Sequence, residues 1–120
     1  MTITAFSAAG IEGREYRRSM SHVHRTVELR SIAFHRLVAE RLDTTMVALA
    51  RDRVEHWLAD GGPVPALWAE RWLALLDQPL PVIASALTED SEEMRDLRQN
   101  TPFAGALTPR ERWRILSDVR

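Results

Sequence analysis

The 120-residue chain has no cysteine, which removes disulfides, zinc–thiolate centres and thiol nucleophiles from consideration. It also has no lysine, so all 16 basic residues are arginine. A GC-rich coding sequence accounts for that bias; selection for bidentate contacts to carboxylate or phosphate is the alternative. Charge of one sign is lacking too, because 16 arginines oppose 17 acids for a net charge of −1. A broadly basic nucleic-acid binder, with a domain pI above about 9, is therefore not expected, although a local basic patch is still allowed. No apolar run reaches the roughly 18 residues of a membrane span. The first residues lack the basic start and apolar stretch of a secretory signal. A cytoplasmic protein with no membrane association is the expectation. Strand-like alternation is absent, and so is any internal repeat.

What is present is enough apolar content, 45% against 28% charged, to build one buried core. Residues 1–20 carry no helical period and are punctuated by Gly10 and Gly13. They read as a flexible tail before a helical domain over 21–120, and Met20 is a candidate natural start. From Val23 to Leu42 the period is helical, with Val23, Val27, Phe34, Leu37 and Val38 on one face. Leu29 and Ile32 fall outside that stripe and form a second apolar surface that calls for another neighbour. Asp43 can cap a second helix whose apolar side is Met46, Val47, Ala50, Val54, Trp57 and Leu58, with Gly61-Gly62-Pro63 as its stop. Pro65 opens a third helix, apolar almost all round and expected to be the most buried, with Trp68 and Trp72 as core residues. A short helix from Pro81 to about Leu87 follows. Next comes one capped by Asp90 with Glu93, running to about Gln99 with Met94 and Leu97 inward. Residues 100–107 must form a loop. Thr108-Pro109-Arg110-Glu111 has the pattern of a capping box opening the last helix, with Trp113, Leu116 and Val119 expected inward. The predicted fold is an all-α single compact domain of five or six short helices with a disordered N-terminal tail.

Catalytic patterns are missing. His22 and His24 make an H-x-H pair without an H-E-x-x-H helix to support it. There is no G-x-S-x-G turn, and Gly61-Gly62 leads into Pro-Val rather than Lys-Ser. Glu89, Asp90, Glu92 and Glu93 sit at a helix start, where the dipole favours acids without any acid–base role. Neither an enzyme nor a bound cofactor or metal is expected. A helix-turn-helix reading of the first two predicted helices is weakened by a connection without a turn glycine and by Asp52 and Glu55 beside Arg51.

The C-terminal segment is the most informative. From Met94 to Arg120, six arginines face three acids for a local net of +3. Arg95 and Arg98 stand at i,i+3, and Arg110 and Arg114 at i,i+4, where like charges repel in isolation. Helix-dipole compensation and pairing with Glu111 or Asp118 explain part of this. An acidic partner explains the rest, since Arg and Trp are the residue types that anchor protein interfaces. The candidate partner-binding set is thus Phe103 on the loop, Arg110, Arg112, Trp113 and Arg114 on the last helix, and Arg95 and Arg98. The stripe of Leu29 and Ile32 is a further surface.

Three segments, RSIAFHRLVAERL (30–42), ARDRVEHWLADG (50–61) and LRQNTPFAGALTPRERWRI (97–115), together resemble short bacterial antitoxins or antitoxin-like regulators encoded beside nucleotidyltransferase-like or other toxin genes. The likeness spans about residues 22–120, and PFAG…ERWRI is its most specific part. It implies no catalytic residue. It implies a cognate toxin as partner, neutralised by masking its active site or substrate groove, with a homodimer also possible. Some relatives carry a helix-turn-helix repressor domain that this chain lacks, which weakens the alternative of a dimeric DNA-binding transcriptional regulator. A helical adaptor is the third reading.

Overall fold

The computed structural model describes residues 25–119. The tail over 1–20, the possible start at Met20, and Val23 and the H-x-H pair lie outside that range. Among the described residues there are six helices and no strand, as the all-α reading requires. They are α1 (25–41), α2 (Thr44–Asp60), α3 (Ala66–Leu76), α4 (Leu80–Leu87), α5 (Glu92–Gln99) and α6 (Pro109–Asp118). No helix among them is long and apolar enough to cross a membrane.

Local chemistry sets most of the boundaries. The Asp43 carboxylate accepts from the Met46 N–H at 2.8 Å and opens α2. Gly61, at φ 76°, closes it in the left-handed region where a β-carbon is costly. Thr108 and Glu111 form a reciprocal capping box, with Glu111 N–H to Thr108 Oγ1 at 3.2 Å and Thr108 N–H to Glu111 Oε1 at 2.9 Å. The cap of α5 is Ser91 rather than Asp90: its hydroxyl accepts from Met94 N–H at 3.2 Å. Glu92 and Glu93 then occupy the first turn, where the dipole suits them.

One core unites Val38 of α1, Ala50 and Val54 of α2, Ala69, Trp72 and Leu76 of α3, Ile83 and Leu87 of α4, Met94 and Leu97 of α5, and Phe103 and Leu107 of the following turn. Trp57 and Trp68 are half-buried against it. Trp72 is fully enclosed; its indole N–H donates to Leu97 O at 3.1 Å and its ring meets Phe103 edge-on at 5.9 Å. The third helix is not apolar-buried all round as expected, since Leu67 is exposed and only the 69/72/76 face is enclosed. Its packing is mainly one-sided, against α2, so the opposite face meets solvent.

Candidate partner-binding surface

The last helix lies along α1 in the opposite direction. At one end Arg41 of α1 pairs with Glu111. At the other, the Arg30 Nε–H donates to Val119 O at 2.8 Å and its Nη2 to Leu116 O at 3.3 Å. Arg30 thereby satisfies carbonyls at the end of α6 that have no partner within the helix. Arg41 and the Thr108 N–H hold the Glu111 carboxyl down to about 2, well below the ordinary carboxylate range.

These two attachments fix the rotation of α6. Glu111 and Ile115, one turn apart, face inward, and Ile115 packs on the core. Trp113 is about half a turn away and therefore points out, 70% exposed; Leu116 is 50% exposed. The inward placement expected for Trp113 and Leu116 is thus corrected, and only half-buried Val119 keeps it. Arg110, Trp113 and Arg114 share the outer face at i, i+3, i+4, whereas Arg112, also exposed, turns to the flank beside α1. Among the described residues no carboxylate lies within ion-pair distance of Arg110, Arg112 or Arg114.

A trough of about 300 Å³ runs between α1 and α6, walled by Val27, Phe34, Arg112, Ile115 and Leu116. Val27, expected inward on its periodicity, is 53% exposed at the mouth of this trough. Leu29 is 43% exposed and Ile32 half-buried, so the second stripe of α1 stays partly uncovered among the described residues.

The other candidate residues go elsewhere. Phe103 is 2% exposed, not an external anchor. Thr101 Oγ1 accepts from the Phe103 N–H at 3.1 Å, and Phe103 O accepts from the Ala106 N–H at 2.9 Å. The turn curls on these bonds and drives the ring onto Trp72. Arg98 is 2% exposed because it follows Met94 by four residues, on the buried stripe of α5. Its Nη1 donates to Leu87 O at 3.3 Å and Glu89 O at 2.9 Å, so it closes the C-terminus of α4 and offers nothing to a partner. Arg95 is committed to Glu28 of α1 and Asp90, each at 3.2 Å, and ties α5 to α1. Of the seven residues proposed in the C-terminal segment, the structure assembles three, Arg110, Trp113 and Arg114, on one exposed face, and leaves Arg112 exposed on the flank that walls the α1–α6 trough.

The sequence reading also missed a buried polar pair. His35 is 1% exposed, its Nδ1–H donates to Ser31 O at 2.7 Å, and Nε2 accepts from the Thr101 hydroxyl at 2.9 Å. Burial, with a smaller opposing push from the Ser31 carbonyl, lowers its pKa to about 4. The one available signal was its position one residue after Phe34 on the inward stripe. Among the described residues no three His, Asp or Glu side chains converge in a way that could hold a metal. The chain matches no protein-family model, no curated protein and no solved structure.

Proposed function

We propose that this chain is a protein-binding module that acts through the outer face of α6, and that its partner is a toxin whose active site or substrate groove this face masks. The observation that carries the binding reading is Trp113, 70% exposed in a helix whose inward stripe is already filled by Ile115. A large exposed aromatic gains nothing from folding, whereas Trp and Arg are the residues that dominate interface energetics. Arg110 and Arg114 flank it without a carboxylate partner among the described residues, so they are available for charge-assisted bonds to an acidic surface. The toxin as partner rests on the resemblance of residues 30–42, 50–61 and 97–115 to antitoxins. A nucleotidyltransferase-like toxin holds its metal with a carboxylate pair, and an incoming arginine beside those acids would displace the metal or block the nucleotide.

A DNA-binding reading would turn Arg110 and Arg114, with Arg112, toward phosphates. The test is co-expression pull-down and titration against the protein encoded by the adjacent gene, at two salt concentrations. Arg110→Ala with Arg114→Ala should leave the helix as stable, because i,i+4 repulsion is removed. Together with Trp113→Ala it should weaken binding by about 2 kcal/mol or more if these are central contacts. Undiminished binding to that protein refutes the α6 surface. A loss confined to DNA affinity, with a shallower salt dependence, favours the nucleic-acid reading instead.

A further inference from the structure

A second concavity lies on a different part of the molecule, between α2 and the 102–106 turn, and has no part in the α6 surface. Its volume is about 370 Å³, within the range of about 300–1,000 Å³ common for small-ligand sites. The walls are apolar and aromatic: Met46, Leu49 and Trp57 from α2, Phe103 and Ala106 from the turn. Leu49 stands 67% exposed at this wall, an apolar side chain that folding leaves uncovered.

The polar side of the cleft is supplied by Arg53, with His56 and Asp52 beside it. The Arg53 guanidinium is tethered to Pro102 O by a single long bond of 3.4 Å, and among the described residues no carboxylate lies within ion-pair distance of it. Position 105 is kept open for it: a β-carbon on Gly105 would come within 3.3 Å of Arg53 Nη2. Asp52 is turned toward His56 instead, with Oδ2 3.8 Å from Nδ1. His56 donates from Nδ1 to Asp52 O at 2.9 Å, and that bond together with the Asp52 charge raises its proton affinity. Asp52 and His56 thus offset each other, and the Arg53 guanidinium is left at the edge of an apolar cleft with no carboxylate paired to it among the described residues.

We infer that this cleft binds a carboxylate carried on an apolar body, with Arg53 as the anion anchor and Met46, Leu49 and Trp57 enclosing the body. A planar guanidinium matches a carboxylate in two parallel hydrogen bonds. The apolar walls favour an aromatic or branched acid over a bare anion, and one tethered arginine suits a carboxylate better than a phosphate, which needs more donors. The acid can be a free small molecule or the carboxyl terminus of a peptide, and the probes below separate them.

The full ¹⁵N-labelled chain is titrated with 3-phenylpropionate and with N-acetyl-Ala-Ala-Phe, each against its own amide. The expected result is that the acids shift backbone amides of residues 46–57 and 102–106, and that each amide binds at least about tenfold more weakly. Arg53→Gln, an exposed position, should remove the difference between acid and amide while leaving the melting temperature unchanged. Tighter binding of the tripeptide identifies a chain terminus, and tighter binding of phenylpropionate identifies a free acid; both uphold the site. Equal binding of acid and amide by the unaltered chain overturns the inference. So do shifts that map to the α1–α6 trough, or no shift with either acid at about 10 mM, where even millimolar affinity would register.

Discussion

Acidification should destabilise this domain through His35. The ring is buried and neutral, with Nδ1–H fixed on Ser31 O and the Nε2 lone pair on the Thr101 hydroxyl. A proton added at Nε2 would meet that hydroxyl, in a pocket already carrying the positive field of Arg98. The unfolded chain takes up this proton near pH 6.5 and the folded chain only near 4. A folded-state value depressed in this way gives stability that is complete above 6.5 and lost as pH falls toward 4. At about 1.4 kcal/mol per pH unit, the loss is about 2 kcal/mol between pH 6.5 and 5, and about 3 by pH 4. The contribution of His56 has the opposite sign: its raised affinity gives stability below 6.5 that fades as pH rises. Urea unfolding at half-unit steps from pH 7.5 to 4.5, on the native chain and on His35→Gln, measures the effect. The native chain should lose stability with a constant m-value, whereas the variant, weaker at neutral pH, should lose much less over the same interval. Parallel pH profiles for the two proteins would refute the assignment.

Replacing Trp72 by Ala should cost about 4 kcal/mol by denaturant unfolding, the usual cost of emptying a buried aromatic site. Trp72→Phe should cost much less, because Leu97 O retains the Asn100 N–H at 3.0 Å when the indole bond is lost; equal costs would contradict the packing. Thr108→Ala should remove about 1 kcal/mol with the α6 cap, measured by thermal unfolding. The ion pair of Arg41 with Glu111 should hold α6 on α1 at every pH above the ordinary 4.5 of the carboxyl and release it as pH falls toward 2; ¹⁵N amide shifts of residues 109–118 that stay unchanged through that interval would count against it.

The helix limits were legible because the groups that set them are neighbours in the chain. Asp43, Gly61 and the Thr108–Glu111 box act through hydrogen bonds spanning a few residues, so the sequence alone identifies them. The apolar stripe of α2 and the enclosure of Trp72 were equally readable, since periodicity marks which face turns to a core. Arg110, Trp113 and Arg114 of the proposed surface were readable by type, because Arg and Trp are the residues that anchor protein interfaces. Periodicity does not choose between two plausible inward faces of a short amphipathic helix, however. Tertiary structure put Ile115 inward and Trp113 outward, through Arg30 bonding to Val119 from 89 residues away. It also buried His35 through Thr101, 66 residues distant, turned Phe103 onto Trp72, and spent Arg98 on the end of α4. In each case a polar or aromatic group was captured by a partner remote in the chain, and the energy of that capture exceeds any preference the neighbouring residues express.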